Sequence, residues 1–188
     1  MRARAALAPG LALASLLSAL PVFGGHAAMS LHLRSTAFAD RGEIPTRYTC
    51  EGTNVSPPLA WSGVPEGTRS LALVVEDPDA PDPAAPKTTW THWVLYDLPA
   101  SASALPEAVA ASQLPAGTRA GSNDFKKTAY DGPCPPIGRH RYVHRLYALD
   151  TVLPDLGHPT RAQLLQAIEG HVLAKAELTG TYQKHGGH

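Results

Sequence analysis

Five side chains of reactive type border two proline-rich stretches: Asp77, Asp79, His92, His140 and Tyr142. Asp77 and Asp79 open the segment DPDAPDPAAP (residues 77–86), which holds four prolines in ten residues. His140 and Tyr142 follow the stiff stretch YDGPCPP (residues 130–136), and His92 lies in WTHW between Trp90 and Trp93. Prolines restrict such segments, whereas Gly132, next to Pro133, lets the backbone approach something closely. Two imidazoles, a carboxylate and a phenol brought to one pocket would hold a small anion through charge-assisted hydrogen bonds. Protonation of His92 and His140 would add donors, so mild acidification is expected to strengthen anion binding. Local sequence also permits plainer roles. Either aspartate suits an Asx-turn, His92 suits a core position, and His140 with Arg141 suits a solvated strand start.

Enzyme templates fit less well. The chain contains no G-x-S-x-G elbow, no H-E-x-x-H helix and no P-loop, and no cofactor is expected. Asp77, His92 and His140 have the composition of a two-histidine, one-carboxylate metal site, the basis of a metal-assisted hydrolase reading. Their separations of 15 and 48 residues neither support nor exclude it. The 16 Lys and Arg balance 16 Asp and Glu, which argues against a nucleic-acid partner.

The N-terminus reads as an address. Arg2 and Arg4 precede an Ala/Leu-rich run, and Gly25-His26-Ala27 supplies small residues for cleavage, the layout of a secretory signal peptide over residues 1–27. Pro9-Gly10 shortens the uninterrupted apolar run to Leu11–Leu20, well below the roughly 20 residues that a spanning helix needs. Export to a periplasmic or extracellular space without stable membrane insertion is therefore expected. Residues 28–188 then form a single domain. An oxidising compartment would permit Cys50 and Cys134 to pair, although two buried thiols fit the sequence equally.

The remaining pattern is that of a β-rich domain. Sixteen glycines and eighteen prolines favour turns over long helices. Strands are predicted over Leu31–Phe38, Ser70–Val75, Trp90–Leu98 and Tyr142–Asp150, from alternation, apolar runs or β-branched and aromatic content. Leu59-Ala60-Trp61 is a short apolar exit from a turn. Residues 99–138 read as a long irregular region with helical turns near Glu107–Ala111. Thr160-Arg161-Ala162-Gln163 fits a capping box. Leu164, Leu165, Ile168, Val172 and Ala176 recur at helical spacing, which predicts a C-terminal helix weakened or split at Gly170. His144, His158 and His171 read as structural or surface residues, and Lys184–His188 as a surface tail.

Together these motifs resemble the phosphatidylethanolamine-binding proteins, in particular the bacterial Raf-kinase-inhibitor-like branch. The likeness spans Leu31 to Tyr182. It rests on NVSPPLAW (residues 54–61), DPDAP (77–81), WTHW (90–93), YDGPCPP (130–136) running into GRHRY (138–142), and EGHVLA (169–174). The resemblance implies a central antiparallel Greek-key β-sheet sandwich with a peripheral helix. It also implies a shallow pocket for a small anionic or phosphate-bearing group such as phosphoethanolamine. Carried over, the pocket residues are Asp77, His92, Gly132, Pro133, His140 and Tyr142. The family is known for ligand binding and for inhibiting kinases or proteases rather than for catalysis. An exported, non-catalytic binding protein is the expectation, with regulation of a peptidase or another exported protein as the alternative and a metal-assisted hydrolase behind it.

Overall fold

The computed structural model describes residues 30–185, so the signal-peptide expectation and the last three residues of the tail lie outside the described residues. Two antiparallel sheets carry the chain. The larger is built from β3 (Ser70–Asp77), β4 (Trp90–Pro99), β6 (Arg119–Ala120), β7 (His140–Leu149) and β8 (Val172–Tyr182), in the order β6-β4-β3-β7-β8. The smaller joins β1 (His32–Arg34), β2 (Leu59–Ser62) and β5 (Ala104–Leu105) in the order β1-β2-β5. The architecture is mainly β, as the composition and motifs predicted.

Strand β3 explains how the layers stack. Its sequence SLALVVED is buried at every position, because it lies centrally and both faces of its sheet are covered. Leu71, Leu73 and Val75 enter the core beneath the small sheet, where they meet Leu33, Leu59 and Trp61. The intervening Ala72 and Val74 pack on the opposite side with Tyr96, Leu164 and Ile168. Glu76 continues that second face and stays buried by pairing with Arg145 from β7 and Arg161 from the helix α1 (Arg161–Ala167).

Two predicted elements differ from the structure. The strand expected over Leu31–Phe38 shrinks to β1, because Ser35 Oγ donates to the Pro58 carbonyl and accepts from the Ala37 backbone N–H. That local turn takes the chain off the ladder. The long C-terminal helix is also corrected. Thr160 does cap α1, its side chain bonded to Gln163 N and its own N–H to Gln163 Oε1. The helix nevertheless stops at Ala167, Gly170 adopts a φ of +81°, and β8 follows, so the chain closes on a strand. Residues Ala176, Leu178, Gly180 and Tyr182 are buried on a period of two, and β8 pairs with β7 from Val172 to Tyr182. Within residues 99–138 the turns predicted near Glu107 resolve into a 3-10 segment at Ala111–Gln113.

Cys50 and Cys134 are joined in a disulfide, with Cα atoms 5.4 Å apart across 84 residues of sequence. The bridge ties the segment after a 3-10 turn (Thr46–Tyr48) to the loop entering β7. Closing so long a loop restricts the unfolded chain, and its removal is expected to lower stability by roughly 2–5 kcal/mol. A Cys50→Ser/Cys134→Ser variant should therefore melt at a lower Tm by circular dichroism. An unchanged Tm would show that the flanking hydrogen bonds hold these segments unaided.

Candidate functional site

The site lies where β3, β4 and β7 end on the same side of the large sheet. Period two along β7 sends His140, Tyr142 and His144 to one face, toward the small sheet. Asp77 is the last residue of β3. His92 comes from β4 by a different device. The β3–β4 register pairs Val75 with Trp93 but Glu76 with Thr91, so His92 is the extra residue of a β-bulge. Bulges re-aim a side chain at the rim of a sheet.

Asp77, His92, His140 and Tyr142 line one cavity of about 280 Å³, with Ala80, Pro81, Trp90, Phe125, Cys134, Pro135 and Pro136 as its other walls. The floor is polar and the mouth apolar and aromatic. Trp90 and Phe125 meet edge to face with centroids 5.5 Å apart, and Phe125 packs in the same way on His92 at 5.5 Å.

Each floor residue has its own hydrogen-bonding state. His140, fully buried, has Nδ1 2.7 Å from Asp77 Oδ2 and Nε2 2.9 Å from the Ile137 carbonyl. Both nitrogens face acceptors, so His140 has none left for a ligand, and the donation expected of it is corrected to a positioning role: it fastens Asp77 to the loop that forms one wall. Asp77 uses its other oxygen to accept from the Asp79 N–H at 2.8 Å. Asp79 in turn takes two side-chain bonds and a backbone bond from Arg141, which hold its carboxyl below the usual carboxylate range. The same two contacts leave the three-residue metal set without a free nitrogen on His140. Among the described residues no group of three His, Cys, Asp or Glu side chains is placed to hold a metal ion.

His92 and Tyr142 are the groups with capacity to spare. His92 Nδ1 lies 2.6 Å from the Asp131 carbonyl, and no hydrogen bond engages Nε2 among the described residues. Burial pushes its pKa down, more than the nearby Asp131, Asp77 and Asp124 push it up. Tyr142 is 1% exposed, and among the described residues no partner meets hydrogen-bond geometry at its hydroxyl, although the Cys134 backbone lies near enough to favour the phenolate slightly. Burial, then the charge of Asp77, pushes its pKa up, so the hydroxyl keeps its proton. The rings of His92 and Tyr142 are 5.2 Å apart.

Gly132 and Pro133 sit one layer behind the walls. A Cβ on Gly132 would lie 2.0 Å from the Tyr48 carbonyl oxygen and 2.7 Å from Asn54 Oδ1, so a close backbone approach is made, but to the protein itself. Gly132 N–H donates to Asn54 Oδ1 at 2.7 Å, and the Pro133 carbonyl accepts from the Cys50 N–H at 3.1 Å. Three contributors escaped the sequence reading. Phe125 carried no pattern in its loop. Asn123, whose Nδ2 donates to the His92 carbonyl at 3.1 Å, looked like any turn residue. Asn54 enters only as the first residue of the NVSPPLAW motif, with no role of its own, yet its Nδ2 reaches Asp131 Oδ1 at 2.8 Å.

The family model for phosphatidylethanolamine-binding protein matches residues 34–183 of this chain. The chain belongs to that family. A UPF0098 protein of Methanothermobacter thermautotrophicus is 50% identical over 155 residues, covering 82% of this chain and 99% of that one. Among solved structures, a phosphatidylethanolamine-binding protein homologue from Chlamydia trachomatis superimposes with a TM-score of 0.76 at 42% identity, covering 83% of this chain and 99% of its own. E. coli YbcL, described as a new member of the mammalian phosphatidylethanolamine-binding protein family, gives 0.75 at 33% identity, covering 82% of this chain and 99% of its own.

Two outcomes follow from the site's packing. Gly132→Ala should destabilise the fold by about 1–3 kcal/mol, because the added methyl overpacks against backbone, and a shift in urea midpoint reads it. A midpoint equal to that of the parent would mean the loop yields freely. His144 is buried beside Phe38, and burial lowers its pKa to about 4. The unfolded imidazole titrates at about 6.5, so below that pH the unfolded chain binds a proton that the fold refuses. Stability should fall as pH drops from about 6.5 to about 4, with His92 adding in the same direction. His144→Leu should flatten Tm against pH in that window; an unaltered slope would assign it elsewhere.

Proposed function

We propose that this protein is an exported, non-catalytic binding protein that holds a small anionic or phosphate-bearing group, phosphoethanolamine-like, on the floor formed by Asp77, His92, His140 and Tyr142. One observation carries the reading: Tyr142, whose buried hydroxyl has no partner among the described residues, and His92, with Nε2 unengaged, line the same cavity. A buried donor left unmade is expensive, of order 1–3 kcal/mol, so the arrangement suits a bound acceptor that returns the bond. Phosphate oxygens are such acceptors, and Asp77, held by His140 and the Asp79 N–H, adds a fixed carboxylate to the same floor. Nothing on the floor has the arrangement of an activated nucleophile, since neither His92 nor His140 is hydrogen-bonded to a serine, threonine or cysteine. Export rests on the N-terminal sequence and agrees with a paired Cys50 and Cys134.

Calorimetric titration with phosphoethanolamine tests the reading. Saturable binding is expected in the parent protein. Tyr142→Phe should weaken it by about tenfold, the usual loss for one hydrogen bond to a charged group, without lowering Tm. The absence of heat in the folded parent protein would defeat the small-anion pocket and turn attention to a protein partner.

A further inference from the structure

The two unengaged groups on the floor have opposite hydrogen-bonding polarity. The Asp131 carbonyl facing His92 Nδ1 at 2.6 Å can only accept, so Nδ1 carries the hydrogen. In the neutral ring Nε2 is then a bare lone pair. Tyr142 retains its proton and has no other partner, so its hydroxyl is free to donate. The resting floor therefore offers one acceptor and one donor from two rings that line the same cavity. Two acceptor-only oxygens match only half of it.

We infer that the pocket takes its anion together with a proton, and so selects oxyacids that keep one O–H, such as the monoanion of a phosphate monoester, over diesters. This rests on the anion-site reading above. The P–O–H of the monoester donates to His92 Nε2, while a neighbouring phosphate oxygen accepts from Tyr142. A phosphodiester has no hydrogen to give, and it fits only after His92 has taken a proton from solvent.

The charges around His92 come from three sides. Asp77 lies on β3, and Asp124 and Asp131 on the loop between β6 and β7; these favour the charged ring. From β7, Tyr142 stacks edge-on, His140 lines the same floor, and His144 disfavours a second positive charge. Burial outweighs the carboxylates and disfavours the charged ring. A ligand that supplies its own proton avoids charging this buried ring.

Methyl phosphate and dimethyl phosphate separate the possibilities, titrated by calorimetry between pH 5 and pH 8 with the His92 ring followed by nitrogen NMR in each complex. At pH 6, near the second ionisation of a phosphate monoester, methyl phosphate should bind at least about tenfold more tightly, the usual penalty for a buried lone pair left unpaired. Nε2 should stay unprotonated in its complex. Dimethyl phosphate should bind only toward low pH, with Nε2 protonated. A doubly protonated His92 in the methyl phosphate complex, or equal affinity for both compounds, overturns the inference while leaving the anion site standing. No binding of either compound at any of these pH values overturns both.

Discussion

Every polar group of Asp131 is committed, and the site hangs on it. Its N–H donates to the His92 carbonyl at 3.2 Å and its own carbonyl faces His92 Nδ1 at 2.6 Å, so the residue grips both backbone and ring of the bulged histidine. Its carboxylate accepts from Asn54 Nδ2 on one oxygen and from Lys127 Nζ on the other. A single residue therefore joins β4, the turn before β2 and the loop before β7. It also fixes the tautomer of His92, because a carbonyl at Nδ1 leaves the hydrogen no other place in the neutral ring. The chemistry of the floor is decided by a residue that lines no part of the cavity.

The opposite wall is held by a parallel device. Asp77 takes His140 and Asp79 takes Arg141, so the first two aspartates of the DPDAP segment clasp consecutive residues at the start of β7. Buried charge is tolerated at Asp77 because both carboxylate oxygens are hydrogen-bonded. The intervening prolines reduce the freedom that the loop would otherwise lose on folding. Both halves of the pocket are thus stiff before any ligand arrives, which limits the ordering that binding must offset. The disulfide adds to this, since Cys134 is itself a wall residue and Cys50 anchors it to the segment that Gly132 packs against.

The motifs made the floor legible because its residues flank proline-rich segments that could not be sheet interior, and strands β3, β4 and β7 were legible because their apolar or β-branched runs are buried on both faces. The C-terminal region was misread for a definite reason. Apolar residues at 164, 165, 168, 172 and 176 satisfy a helical period, yet Ala176 also begins the alternation Ala176, Leu178, Gly180, Tyr182 that β8 uses. Gly170 at positive φ decides between them, and pairing with ten residues of β7 outweighs local propensity. What was not legible is which nitrogen of a histidine is already taken. His140 and His92 look alike in sequence, each within two residues of an aromatic side chain, and only the placement of Asp77 and of the Ile137 and Asp131 carbonyls separates a positioning group from one with a nitrogen to offer. Phe125 was invisible for a simpler cause, since a lone aromatic in a polar loop carries no period.

The cavity floor departs from the rule that buried polar groups are satisfied. Tyr142 Oη lies deep in the protein unpaired, although the rest of the site satisfies its buried carboxylates with care. A phenylalanine would fill the same space without that debt, and its neighbours on β7 and β8 would pack no differently. The hydroxyl is therefore a feature that stability alone does not favour. Such local conflicts concentrate where a fold is shaped for something other than itself. Here the conflict is narrow: one hydroxyl and one lone pair, 5.2 Å apart between ring centres, inside walls that Asp131, the two aspartate clasps and the disulfide all hold in place. A rigid frame around two unmet hydrogen-bonding groups of opposite sign is the physical ground of the proposed anion site, and it sets the terms on which a ligand would have to fit.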